Sequence, residues 1–199
     1  MIVLGIDACL ARCSAALLRG DAVLARRDEA MARGHVERLA PMVGEIVEEA
    51  GIAPGDLGLV GVTCGPGGFT GARLGVAFAR GLALATGCRA VGVTTLEALA
   101  FPLGPERRIV ALDGRRGDLF VQVFGNGGGT DGPSSIAAED LPAFVERHGS
   151  PPVLGPDPLP PVDPADVARL ARTREGEGPP RPLYLRAPDA VPAPRPALR

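Results

Sequence analysis

The stretch Cys64-Gly65-Pro66-Gly67-Gly68-Phe69-Thr70-Gly71-Ala72-Arg73-Leu74-Gly75 decides the fold, because it joins a short apolar run to a long run of helix formers. Upstream, Leu59-Val60-Gly61-Val62-Thr63 reads as a buried strand. Downstream, Ala72 to Ala85 reads as a helix that stops at Gly87, a glycine suited to a left-handed C-terminal residue. The unit is strand, glycine-rich loop, helix. Gly65, Gly67 and Gly68 admit positive φ and keep side chains out of the loop, and Thr70 is placed to cap the helix. Two readings compete. The helix start could hold a phosphate on its free N–H groups, with Asp7, Gly65, Gly67 and Gly68 as the candidate phosphate or nucleotide loop; or the glycines serve a tight turn only. A Walker loop needs a lysine after its last glycine, and a dinucleotide fingerprint needs a glycine where Thr70 stands. Spacing alone leaves the ligand open.

The helix itself says more. Gly71, Gly75, Ala79 and Ala83 recur every fourth residue and stack into one smooth stripe, flanked by Leu74, Phe78 and Leu82. Such a stripe permits close backbone approach. One face is expected on the sheet and the other against a partner helix. Arg73 and Arg80 rule this segment out as a membrane span.

Composition narrows the chemistry. The chain has 199 residues, a formal net charge of −2 and 46% hydrophobic residues, enough for a sizeable core and against a dominant nucleic-acid surface. All 21 basic residues are arginine, which excludes Schiff-base and lysine-base chemistry. The only histidines are His35 and His148. Cys9, Cys13, Cys64 and Cys88 form no Cys-x-x-Cys pair and read as reduced small hydrophobes. No apolar run reaches the roughly 18 residues of a membrane helix, and the N-terminus opens as a strand without a basic leader. The expectation is a cytoplasmic protein that makes no membrane contact.

From the N-terminus, Ile2 to Asp7, Cys13 to Leu18 and Ala22 to Arg27 read as three antiparallel strands in a meander. His35 to Ala50 carries apolar residues at Val36, Leu39, Val43, Ile46, Val47 and Ala50, an amphipathic helix with Pro41 either kinking it or marking its first turn. A strand at Arg89 to Val93 and a short helix from Thr95 follow. A second half begins at Arg108, where Ile109 to Asp113 mirrors Ile2 to Asp7 and Asp118 to Phe124 supplies the next strand. A glycine-rich loop at Asn126 to Ser135 leads to a helix near Glu139 to Arg147, a short strand at Val153 and a helix near Ala165 to Thr173. Glu175 to Arg199 is proline-rich and expected to be extended. This order is the repeating half of an α/β, actin-like (ASKHA, ribonuclease H-like) fold. It predicts two lobes, residues 1–104 and a shortened 105–199.

Ile6-Asp7, Gly34-His35, Leu39-Ala40-Pro41, the Gly65 to Gly75 run, Gly92 to Ala100, Ala111 to Phe120 and Tyr184-Leu185-Arg186 together resemble the TsaB (YeaZ) family. The resemblance implies a non-catalytic subunit of the complex that makes N6-threonylcarbamoyladenosine on tRNA, partnered by the transferase TsaD as a heterodimer and joined by the ATPase TsaE. It also implies tRNA contact only through the complex, a homodimer when alone, no catalytic or metal-binding residue, and no cofactor of its own, with ATP or ADP entering only in the complex. TsaD-like proteins carry two metal-binding histidines where Thr95 and Leu99 stand here, and neither side chain replaces an imidazole. The expected interface is the two long helices, through His35, Val36, Leu39, Val43, Val47, Thr70, Gly71, Leu74, Gly75, Phe78, Ala79 and Leu82. The alternatives are an actin-fold ATP-binding protein or an inactive glycoprotease-like homologue. Asp7 is followed by Ala8-Cys9-Leu10-Ala11-Arg12, poor material for a phosphate cradle, and fits a turn cap. Asp113 is followed by Gly114-Arg115-Arg116-Gly117, whose paired arginines could meet anionic RNA, a phosphate or solvent.

Overall fold

A computed structural model describes residues 1–125, 128–174 and 176–186. Continuous apolar runs and tight turns build the first sheet: β1 (Ile2–Asp7), β2 (Arg12–Arg19) and β3 (Ala22–Ala30) form the antiparallel meander, β4 (Leu57–Thr63) lies parallel beside β1, and β5 (Arg89–Val93) lies parallel beside β4. The order is β3-β2-β1-β4-β5. All six residues of β1 are buried, as expected of a central strand covered on both faces.

One face carries α1 (His35–Glu49) and α2 (Phe69–Thr86). Leu39, Met42, Val43 and Ile46 fall on one side of α1 and close a core with Leu4, Ile6, Leu17, Val60 and Val62. Pro41 sits in the second turn on the exposed side, and the helix continues through it. Arg38 ties α1 to β3 by bonding Glu29 (2.8 Å) while also holding Glu45 on the same helix (2.6 Å).

The other face carries α3 (Thr95–Ala100) and α5 (Pro164–Arg172). Beneath them lies the second sheet: β6 (Arg108–Arg115), β7 (Asp118–Gly125), β8 (Gly128–Gly129), β9 (Ser134–Ala137) and β10 (Val153–Leu154), backed by α4 (Leu141–Arg147). Val91, Val93, Leu96, Val110, Phe120 and Val167 share one core across this middle layer. The second sheet begins at Arg108, and α5 returns to pack on β1, β2 and β4 of the first sheet. It lies so close to β1 that a Cβ on Gly5 would run into the Pro164 carbonyl.

Most elements lie within a few residues of their expected positions. Two differ. The glycine-rich loop after β7 contains β8 and β9 outside residues 126–127, which are not described. The helix near 139 starts as a short 3-10 turn at Ala138–Asp140. Of the expected extended tail, 176–186 contains no helix or strand; the remainder lies outside the described residues.

Candidate functional site

The β4–α2 loop is held from below by the β1–β2 turn. Gly68, not Thr70, occupies the N-cap position; it is extended (φ −63°, ψ 120°), so α2 starts at Phe69 and Thr70 is an exposed residue of its first turn. The Gly68 N–H donates to the Cys9 carbonyl at 2.6 Å. A Cβ on Gly67 would come within 2.5 Å of that carbonyl oxygen, and one on Gly71 would collide with the Ala8 carbonyl. The glycines thus let two backbones meet on the side of the loop that faces the β1–β2 turn, while Gly67 and Gly68 stay exposed on the other side. Gly65 accepts from the Thr95 N–H (2.8 Å), and the neighbouring Cys64 carbonyl accepts from Leu183 (2.8 Å), so the loop is clasped from both sides.

Asp7 is buried beneath this loop. Its Oδ1 accepts from Thr63 Oγ1 (2.6 Å) and from the Cys9 N–H (3.1 Å), a turn cap locking β1, β2 and β4 together. Burial pushes its carboxyl up to about 6, against the pull of those two hydrogen bonds and of His35. Burial also raises the Cys9 thiol, and that of Cys64 to about 11, which makes both poor nucleophiles. His35 Nε2 lies 3.2 Å from the Leu10 carbonyl and 3.1 Å from that of Arg12, so it fastens the start of α1 to the same turn. Asp113 repeats the device in the second lobe, its Oδ1 accepting from the Arg115 N–H at 2.7 Å. Among the described residues, no group of three His, Cys, Asp or Glu side chains is placed to share a metal ion, and no helix is long and apolar enough to cross a membrane.

The helix pair corrects the expected interface. Gly71, Gly75 and Ala79 face inward: a Cβ on Gly75 would lie 3.2 Å from Val62 Cγ2. The stripe is smooth because β4 and the β1–β2 turn press on it. Leu39 and Val43 are likewise in the chain's own core. These five residues are not available as a surface. Val47, Leu74, Phe78 and Leu82 are half-buried at the margin of that core, and Val36 is 57% exposed. The outer face contains residues the spacing did not single out: Ala40 and Gly44 in line with Val36 on α1, and Ala77, Gly81 and Leu84 on α2, with Leu84 88% exposed. A Cβ at Gly44 or Gly81 would meet nothing within 4 Å. The signal was the spacing of Ala77, Gly81 and Leu84 (i, i+4, i+7), which lie opposite the apolar face of α2.

A family profile described as "TsaD: tRNA N6-adenosine threonylcarbamoyltransferase" matches residues 27–151. An uncharacterised protein of Mycobacterium tuberculosis is 36% identical over 169 residues, covering 81% of this chain and 79% of that one. The tRNA threonylcarbamoyladenosine biosynthesis protein TsaB of Escherichia coli is 35% identical over 124 residues, covering 60% of this chain and 53% of TsaB. The solved structure of YeaZ from Pseudomonas aeruginosa superposes with a TM-score of 0.77 at 26% identity, over 92% of this chain and 99% of YeaZ. These likenesses place the chain in the TsaB (YeaZ) family.

Proposed function

We propose that this chain is a non-catalytic subunit in tRNA threonylcarbamoyladenosine biosynthesis, and that it works by docking the outer face of α1 and α2 on a TsaD-like transferase. The observation that carries the reading is the pair Gly44 and Gly81. A glycine inside a helix costs about 1 kcal/mol relative to alanine, and neither position is crowded by any neighbour in this chain. The free fold gains nothing from them. A partner helix laid across Ala40, Gly44, Ala77 and Gly81 gains close backbone approach and buries Val36 and Leu84. Fully burying each of those two side chains contributes about 1.5–3 kcal/mol before ordering costs. Val47, Leu74, Phe78 and Leu82 support the face from its margin, and Thr70 and His35 lie at its start.

The chemistry belongs to the partners in this reading. Thr95 and Leu99, where the transferase relatives carry histidines, are buried in the α3 layer. A TsaE-like ATPase joins the complex, ATP or ADP enters with it, and tRNA is delivered to the assembly in the cytoplasm. Alone, a second copy of the chain covers the same face. The test is reconstitution with a TsaD-like protein, a TsaE-like ATPase, threonylcarbamoyl-adenylate and tRNA. Modification should depend on this chain; equal modification in its absence would overturn the proposal.

A further inference from the structure

The outer face of the helix pair is polarised by charge. Helical spacing sets Glu37, Pro41, Gly44 and Glu48 on the outermost line of α1, all four exposed. The matching line of α2 is Arg73, Ala77, Arg80 and Leu84, likewise exposed. At the flank of α1, Glu45 and Glu49 are neutralised by Arg38 and Arg27. Glu37, Glu48, Arg73 and Arg80 meet no opposite charge among the described residues. One helix therefore presents carboxylates and the other guanidinium groups. Exposed charges in themselves call for no partner; what sets these apart is their segregation by helix and the bracing of Arg73.

Arg73 is held in a fixed pose. Its guanidinium carbon lies 3.5 Å from the Phe69 ring centroid and 5.6 Å from that of Tyr184, and its Nε–H donates to the Tyr184 hydroxyl at 2.7 Å. Tyr184 belongs to a strap, residues 183–186, which is itself tied down. The Leu183 N–H donates to the Cys64 carbonyl at 2.8 Å, and Arg186 pairs with Asp118. The two Nη groups of Arg73 make no hydrogen bond with any described residue. A planar fork fixed from two sides loses little freedom when both Nη groups grip a carboxylate. Phe69 and Tyr184, 47% and 45% exposed, flank it, and an arginine among aromatic rings is the composition of an interface hot spot.

We propose that this face takes a surface of opposite polarity on the TsaD-like partner: carboxylates over α2, one of them gripped by Arg73, and basic side chains over α1. The proposal rests on the docking reading above and adds to it the partner's charge pattern. That pattern fixes orientation, because a partner turned half way round would set like charges against each other.

Calorimetric titration with a TsaD-like protein at low and high sodium chloride tests it. Arg73→Ala and Arg73→Lys should each weaken the complex about tenfold or more, since lysine keeps the charge but neither the fork nor the stack. Tyr184→Phe keeps the ring and frees Nε, so it should weaken binding by a smaller factor. The side chains of Arg80 and Glu48 make no polar contact among the described residues, so Arg80→Glu and Glu48→Arg should fold as the parent does. Each should weaken binding at low salt, and the loss should shrink as salt rises, a response that a merely structural role would not show. No binding by the parent chain would overturn the docking reading and this proposal with it. If Leu84→Glu weakens the complex while the Arg73 variants and Arg80→Glu keep parent affinity, or Arg80→Glu tightens it, the docking reading stands and this proposal is overturned.

Discussion

Replacing Gly71 by alanine places a methyl carbon 3.0 Å from the Ala8 carbonyl carbon and closer still to its oxygen. Both groups are backbone, so no side chain can rotate away. α2 must lift from the β1–β2 turn, and the Gly68 N–H to Cys9 carbonyl bond goes with it. Overpacking of this kind costs about 1–3 kcal/mol, and the lost hydrogen bond about 1 kcal/mol more. Alanine returns up to about 1 kcal/mol in helix propensity. The net expectation is a loss of about 1–4 kcal/mol, a large part of the ~5–15 kcal/mol that holds a typical domain. The same helix supplies its own controls. At Gly75 the nearest atom is Val62 Cγ2 at 3.2 Å, so Gly75→Ala should lie within about 1 kcal/mol of the parent. At Gly81 the space is open, so Gly81→Ala should gain about 0.5–1 kcal/mol. Urea unfolding followed by circular dichroism measures all three. If Gly71→Ala unfolds at the parent's midpoint, or the three variants rank otherwise, the inward orientation of the stripe is wrong.

Asp7 gives a pH test. Its folded value of about 6 lies above the ordinary 3.8, so between those values the folded chain holds a proton that the unfolded chain has released. That contribution is fully present below about pH 4 and is lost as pH rises through 6; about 2 pH units at 1.4 kcal/mol each amounts to ~3 kcal/mol. Asp7→Asn keeps an acceptor for Thr63 and Cys9 but does not titrate. The stability of the parent minus that of the variant should therefore fall by about that amount between pH 4 and pH 8, and a flat difference would refute the burial argument. Thr94 caps α3, its Oγ1 accepting from the Glu97 N–H (3.1 Å) while Glu97 returns a bond to the Thr94 N–H (2.8 Å); Thr94→Ala should cost about 1 kcal/mol in thermal or urea unfolding. Gly44→Ala should stabilise the free chain by about 0.5–1 kcal/mol while weakening its complex with a TsaD-like protein, measured side by side.

The fold was legible where order is local. Short apolar runs joined by tight turns mark the β1–β3 meander, and Leu39, Val43 and Ile46 at helical spacing mark α1. Gly87 ended α2 because it adopts φ 76° there. What the sequence did not reveal depends on distant partners. A four-residue repeat of small side chains defines a smooth stripe, but which side is buried is decided by Ala8 and Val62, contacts no spacing rule contains. For the same reason helical spacing puts Leu39 and Val43 on a surface they do not reach. Thr70 is the hydroxyl nearest the helix start and fits a cap by sequence, yet the Cys9 carbonyl, far away in sequence, fixes the loop two residues earlier. α5 crosses back to β1 from beyond the second sheet, and the Phe69–Arg73–Tyr184 stack joins the start of α2 to the strap; long loop closures of this kind leave no local trace.

If the outer face of α1 and α2 is the docking surface, calorimetric titration of this chain with a TsaD-like protein will read it out. Gly81→Arg and Leu84→Glu project from open surface, so both should fold like the parent and weaken the complex about 100-fold or more if the face is an interface centre. Ala143→Glu, on the exposed side of α4, should bind as the parent does. Parent-like affinity in both α2 variants would mean that the partner docks elsewhere.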